Sequence, residues 1–353
     1  MSSGLRNLTL HPMPVDASKS AIHMPEEFIR IRRYFAPLTQ LSGAFDLLDD
    51  AAILKIPQGQ ELVVTNDSVV AGVHYRGDES GARVAQKLAR RNLSDLAAMG
   101  AEPWTYNLSF AVPQGTTEEW IESFAQGLMQ DQKEFGWSLI GGDSLAVPQA
   151  AVLGMTAFGL VPAGKAILRG GAKVDDDIYC SGTIGDGFLG LRVSRGEFSQ
   201  LQSSDWRFLI DRYELPQPRL KLGKNLRDIA TAAVDVSDGL IADLGHICEA
   251  SKVGALIESH CVPLSPPVRD IVSQDENLLG EILGGGDDYE LIFTAPSSLR
   301  DRIISLTETI ALPITRIGKI KAGKNIRVLD QKGQDLSLSY KGYSHFSASK
   351  FES

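Results

Sequence analysis

The apolar positions of this chain follow two periods and switch between them several times. Trp104, Tyr106, Leu108 and Phe110 share one face of an extended segment, which makes 104–112 a strand. From Thr116 the spacing becomes helical. Trp120, Phe124 and Leu128 line one side, Thr116 and Glu119 form a capping box, and Gly136 stops the helix. A helix over about 26–34 and strands over 62–65 and 152–160 complete the first half. The stretch 162–171 carries Pro, Gly and Lys and changes character, so a domain boundary is expected there. Beyond it 177–180, the segment ending at Val234, 291–294 and 314–338 read as strands, with helices over 188–194 and 240–250. Strands and helices mixed in each half predict two α/β domains with mixed sheets, 26–162 and 163–353. Residues 1–25 are polar, hold three prolines and show no period, as expected of a disordered extension.

Composition narrows the class. A length of 353 residues suits two domains, and 43% hydrophobic with 22% charged residues is ordinary for a soluble globular protein. The net charge of -9 tells against nucleic acid as a partner. Any phosphate handled here must be held by metal ions and backbone donors as well as by Lys and Arg. Cys180, Cys248 and Cys261 are too few and too scattered for a disulfide framework, which points to a reducing compartment. His246, Cys248, His260 and Cys261 fit no common zinc spacing and are read as buried neutral side chains. Residues 1–20 lack the apolar core of a signal peptide. The longest uncharged run, 150–164, is broken by Gly and Pro and falls short of the ~20 residues a membrane span needs. A cytoplasmic protein with no membrane partner is expected.

The candidate chemistry lies in the acids. Asp235-Val236-Ser237-Asp238-Gly239 follows an apolar run and opens a helical pattern, so two carboxylates and a hydroxyl sit where a strand hands over to a helix. Free backbone N–H groups and the positive end of the helix dipole favour phosphate there. The carboxylates would repel it unless a divalent cation lay between them. Similar acidic turns are expected at Asp49-Asp50, Thr65-Asn66-Asp67-Ser68, Ser94-Asp95, Gly141-Gly142-Asp143 and Gly284 to Glu290. Each alone reads as an Asx turn or a helix cap. Together they offer the oxygen ligands that magnesium takes while bridging to phosphate groups. Two motifs echo between the halves, Ser94-Asp95 in Ser237-Asp238 and Gly142-Asp143 in Gly286-Asp287, at separations of 143 and 144 residues. That near-constant offset suggests two related halves.

Three glycine patterns imitate nucleotide loops. Those ending Gly164-Lys165 and Gly323-Lys324 continue with Ala166 and Asn325, where a phosphate loop needs the Ser or Thr that holds magnesium. Gly185-x-Gly187-x-x-Gly190 fits the dinucleotide fingerprint, but Glu197 and Asp205 do not end a convincing second strand. A tight strand-to-helix turn is the better reading.

Phe45-Asp46-Leu47-Leu48-Asp49-Asp50, Asn92-Leu93-Ser94-Asp95-Leu96, Ile140-Gly141-Gly142-Asp143, Asp235-Val236-Ser237-Asp238-Gly239-Leu240, Gly285-Gly286-Asp287-Asp288-Tyr289-Glu290 and Lys341-Gly342-Tyr343 occur in that order. In that order they resemble the motifs of the thiamine-monophosphate kinase family, over about residues 27–347. The resemblance implies the two-domain fold shared with aminoimidazole-ribotide synthetase, a homodimer formed through strands of the N-terminal domain, and magnesium with ATP as co-substrate. By motif position it implies Asp50, Thr65, Asn66, Asp67, Asp95, Asp143, Asp235 and Asp238 as ligands of several magnesium ions. Gly142, Asp143, Arg169 and Ser237 are implied as ATP contacts, and His74, Asp287 and Tyr340 as contacts to thiamine monophosphate. The chain departs from the family pattern where Leu47-Leu48-Asp49-Asp50 replaces Gly-x-Gly-Asp-Asp and Thr65-Asn66-Asp67 replaces Ser-Thr-Asp. It departs again at Asp287, where Glu is frequent, and at Tyr340, where Trp is frequent.

The implied reaction suits these residues. A phosphate monoester is already a dianion near neutrality, its second pKa being about 6, so no protein nucleophile or general base is required. Metal ions and positioning overcome the repulsion between two polyanions in an in-line transfer. Two alternatives stand beside it. Another synthetase of the superfamily using selenium would want a reactive cysteine near the start, and the first here is Cys180. A non-catalytic nucleotide sensor would not need the full set of acids.

Overall fold

A computed structural model describes residues 26–336. The first half begins with α1 (Glu26–Arg30) and builds a four-stranded sheet in the order β1-β4-β2-β3. Its strands are β1 (Gln60–Val70), β2 (Glu102–Pro113), β3 (Ser138–Val147) and β4 (Val152–Pro162). β2 and β3 run parallel, and the other pairs are antiparallel. Tyr106, Leu108 and Phe110 of β2 turn inward as the alternation predicts. They pack with Leu88 and Leu93 of α2 (Gly81–Ala98) and Phe124 and Leu128 of α3 (Glu118–Phe135). Both helices therefore cover one face of the sheet, and the opposite face is open. α3 ends at Gly136 in the left-handed region, φ 73°, as the sequence indicates. Its cap is Thr117 rather than Thr116, with Thr117 Oγ1 accepting the Trp120 N–H. α2, by contrast, has no legible stripe, because 14 of its 18 residues are buried all round its circumference.

The second half forms a six-stranded mixed sheet in the order β10-β7-β9-β5-β8-β6. Its strands are β5 (Asp177–Ser181), β6 (Ala232–Asp235), β7 (Gly254–Glu258), β8 (Leu291–Ala295), β9 (Ile314–Lys321) and β10 (Ile326–Leu329). The helices are α4 (Asp186–Ser194), α5 (Ser203–Glu214), α6 (Leu220–Leu226), α7 (Leu240–Ser251), α8 (Pro266–Gln274), α9 (Leu278–Gly284) and α10 (Arg300–Ile310). Both faces are covered, so β5, β8 and β6 are buried at every residue. Ile178, Val234 and Ile292 pack with Leu189, Leu244 and Ile247 on one side. Tyr179, Ala233 and Phe293 pack with Leu222, Leu226 and Ile303 on the other. Ala97 and Ala98, at the end of α2, belong to that last cluster, so α2 roots the first half in the second. The fit is close: a Cβ on Gly223 of α6 would lie 2.0 Å from Ala97 O.

Candidate functional site

β6 ends at Asp235, and residues 236–239 turn into α7. The N–H groups of Ser237, Asp238 and Gly239 all donate to a single oxygen, Asp243 Oδ2, each at 3.0 Å. This helix N-terminus is closed by its own carboxylate, which corrects the expectation that its donors are free for phosphate. α4 repeats the arrangement. Gly185 and Gly187 donate to the two oxygens of buried Asp288 at 2.7 and 2.8 Å, so the dinucleotide-like turn is already filled. Burial raises the Asp243 carboxyl to about 7, with the Asp238 charge adding to the rise and the three N–H bonds opposing it. Asp238, Asp243 and His246 bring ligand atoms within 4.8 Å of one another. Asp243→Ala leaves three donors without an acceptor and is expected to cost about 3 kcal/mol in urea unfolding, with Asp243→Asn recovering part of the loss.

Where α2 meets β6, two acids from different halves come together. Thr65 Oγ1 donates to Asp95 Oδ2 at 2.6 Å, and Ser94 Oγ donates to Asp235 Oδ2 at 2.8 Å. Burial raises the carboxyl pKa of both acids, and Asp95 and Asp67 add repulsion to Asp235 and Asp95 respectively. The positive charge of Arg169 acts on both in the opposite direction. Asp67 lies alongside, bound by Arg91 at 2.6 and 3.1 Å, while its N–H donates to Asn92 Oδ1 at 3.0 Å. Arg91 is thus a partner that the motifs did not single out, and Asn92 opens one of them without having been given a role.

The pleat of β1 divides the remaining candidates. Thr65 and Asp67 face α2, whereas Asn66 pairs in register with Thr156 on the open face and donates to its Oγ1 at 2.9 Å. Asp143 lies on that open face too, in register with Ser109. A cavity of about 660 Å³ opens there, lined by Asp49, Asp50, Asn107, Gly142, Asp143 and Phe158 among others. A Cβ on Gly142 would meet Leu108 O at 2.0 Å, so β3 can approach β2 only with glycine at this point. Phe45, Asp46 and Leu47 beside the cavity have φ of 51°, 53° and 56°, a left-handed run in which glycine would be unstrained. Three of the expected acidic turns are therefore not turns. Thr65 to Ser68 is strand β1, Ser94-Asp95 is inside helix α2, and Gly141 to Asp143 is strand β3. The internal echo consequently joins motifs of unlike local structure, a helix interior with a loop and a strand with a loop.

At the other end of the seam, His74 Nδ1 accepts the Val70 N–H at 3.1 Å, which in neutral imidazole leaves the proton on Nε2. Asp287 is held in a left-handed conformation, φ 68°, by its N–H to Ser237 O at 2.9 Å and by Tyr289 Oη on its Oδ1 at 3.1 Å. Its neighbours serve the interior: Glu290 is fully buried against Arg212, Arg219 and Ser181. Tyr340 and the closing Lys341-Gly342-Tyr343 motif lie outside the described residues.

Comparison with known proteins agrees with this architecture. Residues 48–161 match the family described as AIR synthase related protein, N-terminal domain, and residues 173–331 match its C-terminal domain. The thiamine-monophosphate kinase of Escherichia coli (strain K12) is 39% identical over 322 residues, 91% of this chain and 98% of that one. The Caulobacter vibrioides enzyme of the same name is 39% identical over 94% of each chain. This chain belongs to the thiamine-monophosphate kinase family. The crystal structure of the Stenotrophomonas maltophilia K279a thiamine-monophosphate kinase superposes with a TM-score of 0.76 at 38% identity, covering 88% of this chain and 96% of that one. AaThiL complexed with AMPPCP and TMP superposes with a TM-score of 0.73 at 26% identity, covering 87% and 99%. As a member of the thiamine-monophosphate kinase family the chain has the two-domain AIR-synthase-like fold with mixed sheets. Motif reading missed Asp243, although an acid four residues beyond Gly239 is a recognisable signal for a carboxylate folding back on its own helix start.

Proposed function

We propose that this chain transfers the γ-phosphoryl group of ATP to thiamine monophosphate, giving thiamine diphosphate and ADP. The observation that carries the reading is the pair Asp95 and Asp235, a half-buried and a fully buried acid from different halves, with raised proton affinity and no cation hydrogen-bonded to either among the described residues. Such a pair asks for positive charge. The donor set around it is all oxygen and includes no thiolate, which fits magnesium. The proposed ligands at the seam are Thr65, Asp67, Asp95, Asp235 and Asp238, while Asp50, Asn66 and Asp143, also proposed as ligands, lie on the open face of the first sheet and would need a further ion there. Magnesium held there would neutralise the charge of two polyanionic reactants. Arg169 adds fixed positive charge beside the acids, and Gly142, Asp143 and Ser237 complete the proposed ATP contacts. His74 and Asp287 are the proposed contacts to the acceptor, with Tyr340 as the third.

The homodimer belongs to the same proposal. The open face of the first sheet exposes Val64, Leu145 and Val152, 51%, 47% and 42% accessible, next to polar Asn66 and Asp143. A second copy laid on that face would cover apolar surface that water now meets. Use of ATP suits a cytoplasmic location, and among the described residues no helix is long and apolar enough to cross a membrane. The test is incubation with ATP, magnesium and thiamine monophosphate, followed by chromatography. Thiamine diphosphate that vanishes with EDTA is the expected result. A folded protein that binds ATP yet makes no product would favour the sensor alternative.

A further inference from the structure

The acceptor region contains a charged group that the reaction above does not use. Lys87, midway along α2, is 3% exposed, and its Nζ has no hydrogen-bond partner among the described residues. Burying an ammonium without hydrogen bonds is costly. The neighbouring cations of α2 differ in that Arg83, Arg90 and Arg91 each reach a carboxylate, although Arg83 Nη1 is itself without a partner among the described residues. What Lys87 touches is a ring. Its Nζ lies 3.3 Å from the ring centroid of Tyr213, on α5 of the second half. The far end of that side chain is engaged as well, with Tyr213 Oη donating to His74 O at 3.0 Å. One buried aromatic residue of the second half is thus gripped twice by the first, on its face by an ammonium and at its hydroxyl by the loop that carries His74. Burial lowers the Lys87 pKa to about 8, and Asp287 exerts the largest opposing charge.

We propose that Lys87 and Tyr213 are positioning residues for the acceptor: the ammonium fixes the Tyr213 ring, and the Tyr213 hydroxyl fixes the loop that presents His74. The proposal rests on the reading that His74 faces the phosphate acceptor. It accounts for the retention of an unpaired buried charge, because interior polar groups that weaken the fold persist where function needs them. It also separates function from packing, since replacing the ammonium by an apolar group of similar volume relieves the fold while loosening the ring.

Steady-state formation of thiamine diphosphate by the full chain tests it, with Lys87→Met and Tyr213→Phe beside the wild type. Each variant is expected to raise KM for thiamine monophosphate about tenfold, with KM for ATP within about twofold of wild type. The Lys87→Met Tm should equal or exceed that of the wild type. The double variant should be no worse than either single one, because both act through one ring. Unchanged acceptor KM in Tyr213→Phe, or equal losses for both substrates, would overturn the proposal. Tyr213→Phe removes one oxygen and keeps the ring, so it decides the matter even if Lys87→Met does not fold. A wild type that makes no thiamine diphosphate overturns the proposed function and this inference together. Wild-type product with unaffected variants overturns the inference alone.

Discussion

Asp95→Asn is expected to lower kcat at least about a thousandfold while leaving the protein folded and, without divalent cations, about 1 kcal/mol more stable. The opposite signs follow from the same pair. Both acids are desolvated, the Asp95 charge raises the proton affinity of Asp235 and the Asp67 charge raises that of Asp95, so the metal-free fold carries this repulsion. Asparagine keeps an oxygen for the Thr65 hydroxyl and removes one of the two charges. It also removes the charge that would draw a cation to the seam. Thermal unfolding with and without magnesium and ATP checks this: the ligands should raise the wild-type Tm by several degrees and the variant's hardly at all. Near-normal turnover would remove Asp95 from the metal site. Asp238→Asn shares the expectation for turnover.

Glu290→Gln is expected to destabilise the fold by about 3–5 kcal/mol, the range for breaking a buried ion pair from one side. Glu290 is fully buried and accepts from Arg212 at 2.9 Å, from Arg219 Nε at 2.6 Å and from Ser181 Oγ at 2.6 Å. Arg219 makes a second contact through its Nη2. A neutral amide preserves the shape but leaves two guanidinium groups in the interior with Asp186 as the nearest remaining acid, 3.6 Å from Arg212. Urea unfolding followed by circular dichroism measures the loss. A change below 1 kcal/mol would mean that water reaches the two arginines.

These two acids show what motif reading captures. It identifies Asp95, Glu290 and their neighbours as unusual but cannot assign their surroundings, because Ser94 meets Asp235 across 141 positions and Glu290 meets Ser181 across 109. Elements with a one-sided pattern were legible. The alternating apolar residues of β2 and the stripe of α3 gave both elements, and Gly136 gave the stop. α2 and β3 were not legible, one because it is buried all round, the other because Gly141-Gly142-Asp143 suggests a turn until β2 is seen beside it. The pleat of β1 was equally silent, since consecutive residues Thr65, Asn66 and Asp67 suggest one cluster and are dealt to opposite faces. The start of α7 was misjudged for a different reason, whereas Gly185 to Gly190 is the tight strand-to-helix turn that its glycines indicate. A free anion site and one satisfied by the chain's own carboxylate share the same local sequence, and only the placement of Asp243 and Asp288 separates them.

α2 brings these threads together in a single element. Along 18 residues it supplies Lys87 to Tyr213, Arg90 to Asp131, Arg91 to Asp67, Ser94 to Asp235, Asp95 to Thr65 and Ala97 to the second core. A helix engaged on every side has no neutral positions on which to drift. Divergence between lineages that keep this architecture must therefore be written elsewhere, in the open sheet face and the outer surface of α3, and α2 itself should serve as the clock that runs slowest.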